Sequence, residues 1–254
     1  AKDLTPGYAR WFQPDGVASF EVSPGGSQLV LTMNSTPPPY RDFLNNDLYL
    51  VPTDGSGALK NLTADNPGHD SRAVFAPDGR SLFYLRTETA YHNGESVKLW
   101  RHNLALGRTT PLTEALDYSF DQVKVSPDGK TLWLLAEEKG VVPVFKLSPD
   151  GTGLTAVHKL GSANNLEVKA GAVVFLKNSF NHPDELFAFD PATGVLTITG
   201  LTADYPTNIA YSVSDGTLAL SWPESHLGWH AQSNSVSVAD PHAWSDITGS
   251  ETVT

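Results

Sequence analysis

The stretch SPDGKTLWLL, residues 126–135, joins the sequence of a tight turn to an uninterrupted apolar run. Pro127 fixes φ at a value that suits the first corner of a turn, and Asp128-Gly129 tolerates left-handed backbone. Related sequences begin at Ala76 (APDGRSLFYL) and at Ser23 (SPGGSQLVLT). A turn that recurs at nearly constant spacing indicates a repeated architecture.

Each copy of this turn lies between two apolar segments, a pattern typical of a β-hairpin. The prolines of the turns are 53 and 50 residues apart, at Pro24, Pro77 and Pro127. A second predicted hairpin follows each first one at spacings of 51, 45 and 42 residues, with starts at Leu48, Leu99, Val144 and Leu186. Two hairpins in roughly 40 to 50 residues supply the four strands of one propeller blade.

The predicted fold class is all-β, a β-propeller of four-stranded antiparallel blades. About five blades are readable, at about 17–63, 68–114, 118–158, 163–202 and 208–249, and the fourth has lost its Pro-Asp-Gly turn. A β-sandwich is the alternative, but a sandwich does not need a fixed phase near 45 residues. We therefore expect residues 1–254 to form a single propeller domain or a portion of one.

Composition excludes several classes of function. The net charge is −11 and no basic run occurs, which argues against a nucleic-acid surface. The absence of cysteine excludes disulfides, thiolate nucleophiles and cysteine–zinc sites. No apolar run approaches the length of a membrane span. Two Asn-x-Ser/Thr sequences make Asn34 and Asn61 candidate N-glycosylation sites, which favours secretion or a periplasmic location over the cytoplasm.

Motifs of catalysis and cofactor binding are missing from the chain. The G-x-S-x-G elbow of α/β-hydrolases, the phosphate loop, H-E-x-x-H and the dinucleotide fingerprint do not occur. The sequence thus predicts no catalytic residue, no cofactor and no metal site. Asp78, Asp128 and Asp150 resemble metal ligands, but at turn positions we expect them to hydrogen-bond their own backbone.

Polar residues concentrate in the loops between the second and third strands, at 34–47, 86–97, 137–140 and 178–185. In a propeller these loops share one face with the loops that enter each first strand. Mixed charge with tyrosine suits recognition of a peptide or of another domain; ordinary solvated loops are the alternative. The candidate contact residues are Arg72, Tyr91, His92, Glu137 and Glu138.

Two long stretches resemble blades of the prolyl oligopeptidase family of serine peptidases, closest to its dipeptidyl peptidase V and acylaminoacyl-peptidase branch. They are FAPDGRSLFYLRTETAYHNGESVKLWRHNL, residues 75–104, and VKVSPDGKTLWLLAEEKGVVPVFKLSPDGTG, residues 123–153. The resemblance covers about residues 17–202. The same turn occurs in TolB-type propellers, so the repeat alone does not separate the two.

The resemblance implies a non-catalytic propeller that caps a C-terminal α/β-hydrolase domain carrying Ser, Asp and His, and that admits only short peptides. The family has seven or eight blades, so we expect this chain to be part of such a propeller, without its hydrolase domain. The expected partners are that domain, or a companion chain, and a short peptide substrate. We expect the chain alone to be inactive and the parent protein to be a serine-type peptidase. The alternative is a free-standing TolB-like propeller that binds a protein or a sugar.

Overall fold

The computed structural model describes residues 2–7, 20–36, 45–89, 94–159, 161–169, 171–179 and 182–198, and four further strands within 210–246. Every regular element in these ranges is a β-strand. No helix in the described part is long and apolar enough to cross a membrane.

Four sheets of four strands follow one another along the chain. Blade 1 contains β1 (Phe20–Val22), β2 (Gln28–Asn34), β3 (Asn46–Pro52) and β4 (Lys60–Asn61). Blade 2 contains β5 (Asp70–Phe75), β6 (Ser81–Arg86), β7 (Lys98–Asn103) and β8 (Arg108–Pro111). Blade 3 contains β9 (Phe120–Val125), β10 (Leu132–Ala136), β11 (Val144–Leu147) and β12 (Thr155–His158). Blade 4 contains β13 (Ser162–Lys169), β14 (Ala172–Ser179), β15 (His182–Phe189) and β16 (Leu196–Ile198).

Within each blade the strands pair antiparallel in chain order, so every blade is a simple up-and-down sheet. The first strands β1, β5, β9 and β13 are the innermost, and β1 lies beside β5, β5 beside β9, and β9 beside β13. This arrangement confirms the predicted fold class, an all-β propeller with four-stranded antiparallel blades.

The repeated turn closes each first hairpin through its own polar groups. In blade 3 the N–H of Gly129 donates to the carbonyl of Ser126 at 2.9 Å. Asp128 Oδ1 accepts from the Lys130 N–H at 3.0 Å and from the Ser126 hydroxyl at 2.6 Å. The N–H of Arg80 donates to Asp78 Oδ1 in the same way in blade 2. These bonds confirm the prediction that the turn aspartates bind their own backbone.

Burial explains the apolar runs within the second strands. All residues of β6 and β10 are buried, because blades 2 and 3 each have a blade packed against both faces. The cluster between blades 2 and 3 includes Phe83, Leu99 and Phe120. In β14 only alternate residues such as Val173 and Phe175 are buried, against blade 3. Among the described second strands, β6 and β10 are thus buried along their whole length because a blade packs on each of their faces.

Residues 201–254 form a separate compact unit. In it, β17 (Ala210–Ser214) pairs with β18 (Thr217–Ser221), and β19 (Gln232–Asn234) pairs with β20 (Trp244–Asp246), both antiparallel. That a fifth blade of the same propeller spans 208–249 stays a prediction.

Candidate functional site

The innermost strands of all four described blades line one cavity of about 340 Å³. Its polar lining consists of side chains that alternate with buried apolar ones along these strands, as expected for strands with one face toward a core. The lining residues are Phe20, Glu21, Arg72, Ala73, Val74, Gln122, Val123, Lys124, Asn165, Leu166 and Glu167. Charges of both signs and two amides thus face a shared space.

Arg72 is the predicted site residue that lies in this cavity. Its Nη2 is 3.2 Å from Asp121 Oδ1, so it pairs blade 2 with blade 3, and its side chain stays 35% exposed. Arg72 has a φ of 54°, and the pairing of β5 with β6 shifts register between Ser71 and Val74. Left-handed backbone is uncommon for arginine, and the bulge that accompanies it changes the direction of a side chain.

A second ion pair crosses the cavity wall between blades 3 and 4. Lys124 Nζ lies 2.7 Å from Glu167 Oε1, with both side chains partly exposed. Partial burial raises the pKa of Glu21; Lys124 opposes this effect and Glu167 adds to it. The charge of Lys124 therefore acts on carboxylates of both blade 1 and blade 4.

A bulge like that of β5 recurs in β13. The register with β14 shifts between Asn164 and Glu167, and Asn165 has a φ of 49°. The N–H of Leu166 donates to Gln122 Oε1 at 2.8 Å, which joins blades 3 and 4 through a side-chain amide. Polar contacts between neighbouring innermost strands therefore hold the cavity wall in place.

Glu137 and Glu138 lie in the loop after β10, apart from the cavity lining. Glu137 is exposed. Glu138 accepts a hydrogen bond from the Tyr118 hydroxyl at 3.2 Å and lies 3.6 Å from Lys159 Nζ. Burial raises the pKa of the Tyr118 hydroxyl, and the charge of Glu138 raises it further. Glu138 is thus an anion held by two side chains at the edge of the loop face.

The other predicted site residues divide into two groups. Tyr91 and His92 lie outside the described residues. Asn34 is buried and its Oδ1 accepts from the Thr36 N–H, while Asn61 Nδ2 donates to Asp47 Oδ2 at 2.6 Å. A glycan is attached at the side-chain nitrogen, which the burial of Asn34 does not leave accessible. Both sites stay predictions.

Sequence reasoning identified Arg72 but missed the residues that face it. Among the described residues, no hydrogen bond or ion pair joins Arg72 to Glu137 or Glu138. A simple positional rule would have found two of the missed residues. Glu21 and Lys124 each stand three positions before the proline of the repeated turn, a position that faces the cavity in both blades.

Known proteins share sequence similarity with this chain. No model of a known protein family matches the chain. The chain is 25% identical over 199 residues to dipeptidyl-peptidase 5 of Porphyromonas gingivalis, an alignment that covers 76% of this chain and 29% of that protein. It therefore spans less than a third of the length of this relative.

Solved structures share the fold at low identity. A puromycin-hydrolyzing peptidase from Mycobacterium tuberculosis matches with a TM-score of 0.58 and 16% identity, over 83% of this chain and 36% of that one. TolB from Acinetobacter baumannii matches with a TM-score of 0.54 and 14% identity, over 81% of this chain and 52% of that one. The four blades show a β-propeller, and the chain is similar in sequence to part of dipeptidyl-peptidase 5.

Proposed function

We propose that this chain is the non-catalytic propeller region of a serine peptidase, and that it gates access to a hydrolase domain and helps to bind short peptides. The observation that carries the proposal is the cavity of mixed charge between the innermost strands of four blades. The relative named dipeptidyl-peptidase 5, of which this chain spans 29%, supports it. In this proposal the α/β-hydrolase domain is another part of the complete protein or a companion chain.

The charges of the cavity suit the two ends of a short peptide. A peptide has an ammonium group and a carboxylate, and each loses hydration when it enters a narrow space between protein walls. Arg72 and Lys124 offer cations to the carboxylate, and Glu21 and Glu167 offer anions to the ammonium group. A longer chain carries its two end charges too far apart to satisfy both sets at once.

The loop face extends the proposed binding region. In the complete protein, loops 34–47, 86–97 and 178–185 would line the chamber between the propeller and the hydrolase domain. Glu138, held by Tyr118 and Lys159, would meet a peptide's amino group or the catalytic domain. Glu137, Tyr91 and His92 belong to the same proposed contact set. A fifth blade within 208–249 would continue the propeller.

The test is steady-state kinetics of the complete peptidase with short peptides. Arg72→Gln and Glu138→Gln should raise KM about threefold to tenfold with little change in kcat, because they remove binding that ground state and transition state share. Lys146→Gln is the control, since Lys146 is exposed on β11 and does not line the cavity. Unchanged KM in Arg72→Gln, Glu137→Gln, Glu138→Gln and Tyr91→Phe would refute the proposed binding role.

A second candidate function is a free-standing propeller that binds a protein or a sugar. The likeness to TolB, which covers 81% of this chain, favours it. The two functions differ in whether a catalytic domain accompanies this chain. The intact mass of the natural protein and its labelling by a fluorophosphonate probe distinguish them, since only the peptidase contains an activated serine.

A further inference from the structure

The turn between the first and second strands is shorter in blade 4 than in the other three. Six residues separate the last paired positions in blades 1, 2 and 3, between Val22 and Leu29, Phe75 and Leu82, and Val125 and Leu132. In blade 4, two residues separate Lys169 from Ala172. Blade 4 therefore lacks the part of the turn that carries the Pro-Asp-Gly sequence.

The long turns lie against one another in succession. A Cβ placed on Gly79 would lie 3.9 Å from Cδ of Pro24, and one placed on Gly129 would lie 3.6 Å from Cδ of Pro77. The six-residue turns of blades 2 and 3 thus each lie beside the proline of the preceding blade. The two-residue turn of blade 4 is too short to lie beside Pro127 in this way.

A groove of about 320 Å³ lies at this place, between blades 3 and 4. Trp133, which is only 2% exposed, and Val173 belong to the core cluster beneath it. The apolar part of its lining is formed by Pro127, Trp133, Val168, Val173, Pro191 and Ala192. The exposed apolar part of the lining comes from Pro127, Pro191 and Ala192, whereas Trp133 and Val173 are buried at its base.

Two carboxylates border the groove, Asp128 from blade 3 and Asp190 from blade 4. The Ser126 hydroxyl and the Lys130 N–H hold the pKa of Asp128 below its usual value. The Ala192 N–H and the Thr193 hydroxyl do the same for Asp190. No residue in the described lining is basic, although Lys130 follows Asp128 closely in the chain. The groove thus combines an apolar floor with anionic edges.

We propose that this groove binds a partner's peptide segment in which an apolar side chain, such as proline or phenylalanine, stands next to lysine or arginine. The apolar side chain would pack against Pro127, Pro191 and Ala192 and remove them from water, and the neighbouring cation would pair with Asp128 or Asp190. The net charge of −11 also attracts a cationic segment.

The groove lies at the end of the blades opposite the loop that carries Glu138. The first turn of a blade and the loop after its second strand are at opposite ends of that strand, as Leu132 and Ala136 are in β10. Binding in the groove therefore leaves the proposed peptidase face open, and it does not depend on the function proposed for that face.

The test is fluorescence anisotropy of the purified chain with the labelled peptide acetyl-Gly-Phe-Pro-Arg-Gly-amide at low salt. Two matched peptides replace Arg by Glu, or Phe-Pro by Ser-Ser. We expect Asp128→Asn and Asp190→Asn each to weaken binding about twofold to fivefold, the range for exposed charge pairs. Ala192→Trp fills the groove and should weaken binding more than about tenfold by steric exclusion.

Asp78→Asn is the matched control, because Asp78 has the same turn position in blade 2 and lies outside the groove. It should bind the peptide as the unmodified chain does, and far-ultraviolet circular dichroism should show equal strand content in all variants. Equal binding of the Glu or Ser-Ser peptide, or undiminished binding by Ala192→Trp, would overturn the proposal. So would a concentration-dependent dimer that Ala192→Trp abolishes, since that result would assign the groove to a second copy of this chain.

Discussion

At the scale of single residues, two ion pairs of equal length differ in what surrounds them. Arg86 Nε lies 2.7 Å from Asp70 Oδ1, and the two side chains are 5% and 0% exposed. Lys124 and Glu167 are also 2.7 Å apart, but their side chains are 31% and 61% exposed. Arg86 additionally lies over the Trp100 ring, with 4.7 Å from its guanidinium carbon to the ring centroid. The two pairs thus match in distance and differ in burial and in the additional ring contact of Arg86.

We expect Arg86→Met to lower the free energy of unfolding by about 3 to 5 kcal/mol, because it leaves the buried Asp70 without its cation. Lys124→Met should lower it by less than about 1 kcal/mol, since solvent screens the exposed pair. Urea unfolding followed by tryptophan fluorescence measures both. The double variant Asp70→Asn/Arg86→Met should recover much of the loss, and equal losses in the two single variants would contradict this account.

The sequence alone does not reveal the buried pair. Arg86 ends an apolar strand and looks like the first residue of a polar loop, and Asp70 stands 16 positions earlier in what reads as a loop before a strand. Their contact depends on the register of β5 with β6, where Asp70 faces Arg86. The contact between Tyr118 and the predicted residue Glu138 escaped prediction for the same reason, since the two side chains meet only through the fold.

At the scale of elements, the repeated turn and the strands around it were predictable. Proline, aspartate and glycine determine the local backbone of a turn, and short apolar runs are typical of buried strands. The bulges could not be predicted from the sequence. Arg72 and Asn165 have positive φ although neither is a glycine, the residue from which positive φ is usually predicted. The loss of the fourth turn was visible in the sequence, but the groove beside it depends on how neighbouring blades and turns lie against one another.

Substitution of two glycines in blade 3 distinguishes the effect of backbone strain from that of a steric clash. Gly129 has a φ of 70°, and its added Cβ would make only an ordinary contact with Pro77, 3.6 Å away. Gly151 has a φ of 88°, and its Cβ would lie 2.6 Å from the carbonyl oxygen of Leu112. Gly129→Ala therefore tests conformation alone, whereas Gly151→Ala adds a clash with the backbone that follows β8.

We expect Gly129→Ala to lower the free energy of unfolding by about 1 kcal/mol, the cost of a left-handed residue with a Cβ. Gly151→Ala should lower it by more than about 2 kcal/mol, because blade 2 must also move. Thermal and urea unfolding of both variants give the comparison. If Gly129→Ala proved the more harmful of the two, the contact between Gly151 and Leu112 would not matter for stability.

At the scale of the whole molecule, the described part provides shape and charge without catalytic machinery that could be recognised in the sequence. Peptide hydrolysis needs a nucleophile activated by a positioned base, together with donors that stabilise the oxyanion. The chain spans 29% of the relative named dipeptidyl-peptidase 5, so most of a comparable protein would lie outside it. For these two reasons the proposed function assigns catalysis to a separate hydrolase domain and gating to the propeller.

We therefore expect residues 1–254 alone to release no nitroaniline from dipeptidyl or acyl-aminoacyl nitroanilides and to remain unlabelled by a fluorophosphonate probe. The natural full-length protein should be labelled, and its labelled serine should map outside these residues. Mass spectrometry of the digested adduct locates the probe. The isolated chain must show strand-rich circular dichroism for its inactivity to be meaningful. Steady turnover by that folded chain, abolished by a serine-directed inhibitor, would place a nucleophile within the propeller and overturn the assignment of a non-catalytic role.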